Sequence, residues 1–156
     1  MRILVVDDFE PWRRLVRLTL LIGSQLEVVG EASNGLEAIR QVQQLQPDLI
    51  LLDVGLPTLN GIETARRIIE LAPDSKILFL SESRSSHLAL EALAAGAAGY
   101  VVKSDAANEL LPAINAVLRG KQFLSASLAG QVLATMLSST QTMHLWWTVA
   151  LLAIIP

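Results

Sequence analysis

Short apolar runs recur along this chain, and each is followed by a longer stretch with apolar positions at helical spacing. The runs are Ile3-Leu4-Val5-Val6, Val28-Val29, Leu49-Ile50-Leu51-Leu52, Ile77-Leu78-Phe79-Leu80 and Tyr100-Val101-Val102. Such alternation predicts βα units and a parallel sheet. Strands are expected near 2–6, 26–31, 48–52, 76–80 and 98–102. Helices are expected near 10–22, 35–45, 61–71, 84–95 and 105–119. Pro11 suits a first helical turn, where its missing N–H would have no partner anyway. Leu15, Leu18 and Ile22 are read as the inward face of that helix. Asn34-Gly35 opens the second helix, Pro47 closes the loop after it, and Pro73-Asp74-Ser75 turns into the fourth strand. Gly96 reads as a helix C-terminal glycine. The run 49–52 lacks polar alternation, so it is expected to be a central strand covered on both faces. Five βα units in this order give a doubly wound α/β sheet.

Composition narrows the picture. A length of 156 residues suits one domain with a proper core. The net charge of −3 lacks the basic excess of a dedicated nucleic-acid binder. Without cysteine there is no disulfide framework, thiolate zinc site or cysteine nucleophile. Met1-Arg2 leads directly into the first strand, so no signal peptide is expected, and a cytoplasmic setting fits. All 12 Lys/Arg and all 15 Asp/Glu fall between Arg2 and Lys121. The chain therefore divides into an ordinary charged region, 1–121, and an uncharged, apolar tail, 122–156.

The chemistry lies at the ends of the apolar runs. Asp7 and Asp8 follow the first, Asp53 the third, Ser81 the fourth and Lys103 the fifth. In an open parallel sheet the carboxyl ends of the strands line the edge where ligands bind. Three carboxylates make a hard, oxygen-only site suited to Mg²⁺. Asp53 can also act as a nucleophile toward phosphorus. Lys103 would neutralise charge on a transferring phosphoryl group, and Ser81 would bond one of its oxygens. Taken singly, these residues have plainer readings. Asp7 or Asp8 would cap the first helix, Ser81 the fourth, Lys103 would be a surface lysine and Tyr100 a core-rim aromatic. Jointly, four strand ends each carry the group such a site requires.

Residues 1–121 resemble the receiver domain of two-component response regulators, in particular the NarL/FixJ subfamily that carries a LuxR-type helix-turn-helix. The matching text is Arg2-Ile-Leu-Val-Val-Asp-Asp, Asp53-Val-Gly-Leu-Pro with Asn60-Gly61, Leu80-Ser81 and Gly99-Tyr-Val-Val-Lys103. The resemblance implies a flavodoxin-like fold of five parallel strands in the order 2-1-3-4-5. It implies that Asp53 accepts a phosphoryl group from a sensor histidine kinase. Asp7, Asp8, Asp53 and the backbone carbonyl of Gly55 would hold Mg²⁺. Ser81 and Tyr100 match the hydroxyl and aromatic switch positions, with Tyr100 moving into space that Ser81 vacates. Lys103 matches the family lysine. Such a protein is no enzyme beyond its own phosphoryl transfer and hydrolysis. Two positions depart from the pattern. Ser104 follows Lys103 where many receivers have proline, so Ser104 or Asp105 is expected to cap the last receiver helix. Glu82 follows Ser81 where a small residue is common, and its carboxylate would crowd or repel a phosphoryl group.

The tail departs further. Gly120 to Ser125 still looks like the family's linker, and Ala126 to Leu137 reads as one more helix. Ser138 to Thr142 then interrupts the pattern, and Met143 to Ile155 is nearly all apolar. No arginine or lysine is available there for phosphate contacts, so no output domain and no DNA binding are expected. The tail reads as the remnant of an output domain, as a self-association surface, or as a membrane contact. The last is not expected, because thirteen residues fall short of the ~20 that a span needs. A homodimer through receiver helices or through the tail is the other expected association.

Other classes fit poorly. A Rossmann-type nucleotide binder needs a glycine-rich turn after the first strand, and Asp7-Asp8-Phe9-Glu10-Pro11 has none. An aspartyl phosphatase usually places its acids one residue apart after the first strand. A degenerate receiver that binds proteins independently of phosphorylation is the remaining alternative.

Overall fold

A computed structural model describes residues 1–138. Every apolar run forms a strand, and every periodic segment a helix. In order these are β1 (Arg2–Val6), α1 (Glu10–Leu20), β2 (Glu27–Ala32), α2 (Gly35–Leu45), β3 (Leu49–Asp53), α3 (Gly61–Leu71), β4 (Lys76–Ser81), α4 (Ser86–Ala94), β5 (Gly99–Val102) and α5 (Ala106–Leu118). Local chemistry sets the boundaries. Asn34 and Asn60 accept from the N–H groups of Glu37 and Glu63, and Ser85 accepts from that of Leu88, so each caps the helix that follows it. Gly96, with φ +106°, ends α4 in the left-handed conformation glycine tolerates. There the Ala97 N–H reaches the Ala92 carbonyl at 3.3 Å and closes the helix end.

The sheet is parallel, and its order is β2-β1-β3-β4-β5-β6. Five of the six strands follow the expected order. The sixth, β6 (Phe123–Leu124), was not expected and corrects the five-stranded reading. It pairs with β5 through Gly99 and Tyr100. Beyond it the Ser125 N–H donates to the Tyr100 carbonyl at 3.0 Å, and the Val102 N–H donates to Ser125 Oγ at 2.8 Å. Two residues are too few to show a period of two, so hydrogen bonding rather than pattern defines this strand.

Alternate residues along the central strands feed opposite faces. Leu4, Val6, Ile50, Leu52, Phe79 and Tyr100 face α2, α3 and α4. Ile3, Val5, Leu49, Leu51, Leu78 and Val101 face α1 and α5. Each such side chain contributes about 1.5–3 kcal/mol by leaving water. The residues of β3 are buried throughout, as the missing polar alternation requires.

The change in composition after Lys121 is not a break in the fold. Helix α6 (Ala126–Ser138) forms over the expected residues. Leu124, Leu128, Val132 and Met136 complete the core on the side of α2–α4. Ser86 Oγ on α4 lies 3.2 Å from Thr135 Oγ1 on α6. The Ala126 N–H donates to the Glu109 carboxylate of α5 at 3.3 Å. The remainder of the tail, with Met143–Ile155, Trp146 and Trp147, lies outside the described residues. Among the described residues no helix is long and apolar enough to cross a membrane.

The inward face of α1 also differs from expectation. Leu15, Leu18 and Ile22 are 52%, 55% and 76% exposed, while Val16 and Leu20 are buried, with Trp12 packed on the same core. Arg13 and Arg17 set this rotation. Both bond Glu31 on β2, at 3.0 and 2.6 Å, and Arg13 Nη1 also donates to the Asp7 carbonyl at 2.7 Å. These tethers leave the stripe Trp12, Val16, Leu20 against the sheet. Ile22 lies past the helix end.

Candidate functional site

The carboxyl ends of β1, β3, β4 and β5 meet at one edge of the sheet. A cavity of about 380 Å³ opens there, lined by Asp7, Asp8, Asp53, Gly55, Ser81 and Lys103, among others. Every residue singled out from strand ends is therefore present in one place. Asp53 and Ser81 are the last residues of β3 and β4, and Lys103 begins a 3₁₀ turn after β5.

Asp7 is buried, its Oδ1 accepting from the Phe9 N–H at 2.9 Å. Phe9 holds the N-cap position of α1 with no side-chain cap, so neither aspartate caps that helix. Asp8 is exposed. One carboxylate oxygen from each of Asp7, Asp8 and Asp53 lies within 4.8 Å of the others. An all-oxygen set of this kind fits Mg²⁺. The polypeptide offsets that charge incompletely. Lys103 Nζ lies 2.6 Å from Asp7 Oδ2 and 3.7 Å from Asp53 Oδ1. Burial, and next the Asp7 charge, push the Asp53 carboxyl above the usual carboxylate range, against Lys103 and the Gly55 N–H, which lower it.

Glycine brings the loop after β3 close. The Gly61 N–H donates to the Val54 carbonyl at 2.8 Å. A Cβ on Gly61 would collide with the Asp53 carbonyl oxygen and lie 2.7 Å from Val54 Cα. At Gly55 a Cβ would meet only Asp53 Oδ2, at 3.8 Å, so its role is not steric.

Ser81 is buried, and its Oγ accepts from the Ser83 N–H at 3.1 Å, leaving its own proton to donate. Ser85, not Ser81, caps α4. Tyr100 is fully buried, with its hydroxyl donating to the Ser83 carbonyl at 2.9 Å. Burial raises its pKa. The ring is thus buried in this conformation while Ser81 Oγ stays bonded to the Ser83 N–H. Glu82 is exposed and stands on the cavity wall. Neither Ser104 nor Asp105 caps α5 through its side chain. Asp105 instead accepts from Ser127 Oγ of α6 at 2.7 Å, and Ser104 Oγ accepts from Arg84 at 2.8 Å.

Two contributors were not read from the sequence. Arg13 holds the Asp7 carbonyl, and the Trp12 ring centroid lies 5.0 Å from Lys103 Nζ. Both sit in the first turn of α1, close after the acidic pair. Proximity in sequence was the available signal, but it does not tell which way a helix is rotated.

Comparison with known proteins agrees with this geometry. The family model described as the response regulator receiver domain matches residues 3–115. The transcriptional regulatory protein LnrK of Bacillus subtilis is 33% identical over 132 residues, which make up 85% of this chain and 60% of that protein. The nitrate/nitrite response regulator protein NarL of Escherichia coli is 34% identical over 140 residues, 90% of this chain and 65% of that protein. The crystal structure of a LuxR-family two-component response regulator from an Aurantimonas species aligns with a TM-score of 0.81 at 36% identity. That alignment covers 87% of this chain and 97% of that one. The chain spans about three fifths of the length of the curated relatives it matches.

Proposed function

This chain belongs to the response regulator receiver domain family of two-component systems, and from that premise we propose that Asp53 accepts a phosphoryl group from the phosphohistidine of a sensor histidine kinase. The observation that carries the reading is the setting of Asp53. Its carboxylate ends the central strand, faces the cavity, and has the Lys103 ammonium 3.7 Å away and carboxylate oxygens of Asp7 and Asp8 within 4.8 Å.

The step is an in-line displacement. An Asp53 oxygen attacks phosphorus, the P–N bond to the kinase imidazole breaks, and the departing imidazole takes up a proton. An acyl phosphate forms on Asp53. Asp7, Asp8, Asp53 and the Gly55 carbonyl would hold Mg²⁺, which when bound offsets charge on the phosphoryl oxygens. Lys103 turns from Asp7 toward the new negative charge, and Ser81 donates its hydroxyl proton to a phosphoryl oxygen. Positioning and electrostatics carry the transfer. No substrate other than the chain itself is turned over.

Phosphorylation adds nearly two negative charges beside Ser81 and shifts the balance of a two-state element. The output is a change of conformation or of association, including a homodimer through the receiver helices or the residues after Ser138. LnrK of Bacillus subtilis is named as a transcriptional regulatory protein. DNA binding is not proposed for residues 1–138, which carry the whole net charge of −3. The kinase partner implies a cytoplasmic setting.

Intact mass after incubation with Mg²⁺ and phosphoramidate tests the reading. One phosphoryl adduct is expected, absent in Asp53→Asn and in EDTA. No adduct under conditions that label an ordinary receiver would overturn it.

A further inference from the structure

Among the described residues the Lys103 ammonium contacts two carboxylates and one aromatic ring. Asp7 Oδ2 is 2.6 Å away and Asp53 Oδ1 3.7 Å. The ring is the indole of Trp12, whose centroid is 5.0 Å distant. The lysine side chain is only 11% exposed. Trp12 is also a wall of an apolar cleft between α1 and α5, shared with Leu15, Val16, Ala106 and Leu110. Filling a cleft needs only apolar volume, whereas an indole also offers a ring face that attracts a cation.

We propose that Trp12 is a positioning residue for Lys103, holding the ammonium at the edge of the site while leaving it free to turn from Asp7 to a phosphoryl group on Asp53. This rests on the function proposed above. The two kinds of neighbour constrain the lysine differently. A charged hydrogen bond at 2.6 Å fixes the ammonium at Asp7. Attraction to a ring face has no single donor–acceptor line, so the ammonium slides across it without losing the contact. Lysine is a long, flexible chain with three rotatable donors. Once Asp7 is released, Trp12 is what keeps the head group from swinging into water.

The test is a double-mutant cycle in a background where Trp146→Phe and Trp147→Phe leave Trp12 as the sole indole. Rates of labelling by phosphoramidate are followed by intact mass for the background, Trp12→Phe and Trp12→Leu, each with Lys103 and with Lys103→Met. Mg²⁺ affinity is measured by calorimetry. Trp12→Leu is expected to slow labelling by about 3- to 30-fold, matching the usual strength of a largely desolvated cation–π contact. Trp12→Phe keeps most of the rate, and Mg²⁺ affinity is unchanged in both. With Lys103→Met, Trp12→Leu has no further effect. Equal losses in Trp12→Phe and Trp12→Leu, or a loss that persists with Lys103→Met, would show that Trp12 only fills the cleft. Trp12 emission gives a reading independent of labelling. Lys103→Met is expected to shift it, and an unshifted spectrum overturns the contact. Absence of labelling in the background with a shifted spectrum would instead refute the phosphoacceptor role of Asp53.

Discussion

Replacing Asp53 by asparagine is expected to make the metal-free protein more stable. Two like charges lie within 4.8 Å of the Asp53 carboxylate, and one ammonium lies at 3.7 Å. At an effective dielectric constant of about 20, each like pair costs ~3.5 kcal/mol and the lysine returns ~4.5 kcal/mol. The balance is unfavourable by ~2.5 kcal/mol, reduced by solvent screening because Asp8 is exposed. Burial of the carboxylate adds to it. Asparagine has the same shape and no charge, so Asp53→Asn is expected to gain about 1–3 kcal/mol, or roughly 3–10 °C in melting temperature.

The pH dependence has a definite sign. The folded pKa of Asp53 lies above its ordinary value, so the folded state binds more protons than the unfolded state across that window. Stability of the parent therefore falls as pH rises from the usual carboxylate range through the raised value. The advantage of Asp53→Asn is greatest above the raised value and disappears at about pH 3, where aspartate is protonated in both states. Thermal melts by circular dichroism, in EDTA and in Mg²⁺, give the comparison. Mg²⁺ is expected to raise the parent more than the variant and to narrow the gap. Equal melting temperatures in EDTA at neutral pH, or a gap that persists unchanged in acid, would refute the reasoning.

Two further substitutions test the architecture. Leu128→Ala, at a fully buried position on α6, is expected to lose about 2–5 kcal/mol in urea unfolding. A loss below ~0.5 kcal/mol, typical of a surface site, would place α6 outside the core. Gly61→Ala forces a methyl group against the Asp53 carbonyl and is expected to cost about 1–3 kcal/mol. Because the displaced atom belongs to Asp53, labelling by phosphoramidate should slow as well, and a normal rate would show that the loop yields without moving the acceptor.

Strands and helices were legible because their signals are long. Five apolar runs, four of them ending at a group of the site, specify both the sheet and the edge where the groups meet. What stayed illegible depended on rotation or on pairs distant in sequence. The sequence of α1 offers Leu15, Leu18 and Ile22 as readily as Val16 and Leu20. Arg13 and Arg17 decide between them by reaching Glu31, which lies on another strand. Strand β6 has two residues and no period. Its existence rests on the N–H groups of Phe123 and Ser125 donating to the carbonyls of Ala98 and Tyr100. The uncharged composition after Lys121 set the tail apart in the sequence, without telling where its first helix packs. Helix α6 needs only its one buried stripe, Leu128, Val132 and Met136, to pack on the core, and charge on its exposed positions plays no part in that contact.

The sixth strand and α6 change how a switch at this site would be read. Tyr100 joins two regions. Its hydroxyl holds the Ser83 carbonyl, two residues from Ser81, and its backbone carbonyl holds the Ser125 N–H, where α6 begins. Helix α6 lies on α4 through Thr135 and Ser86, and its first turn is tied to α5 through Ser127 with Asp105 and Ala126 with Glu109. A shift of Ser81 toward Asp53 moves the acceptor of the Ser83 N–H, and therefore the loop that Tyr100 grips. Either the Tyr100–Ser83 bond breaks or the ring follows and carries strain to β5 and Ser125. On the function proposed above, charge arriving at Asp53 would act beside a face on which α6 is packed. Its effect on association would then depend on whether α6 stays seated on α4 as well as on the shape of α4 itself.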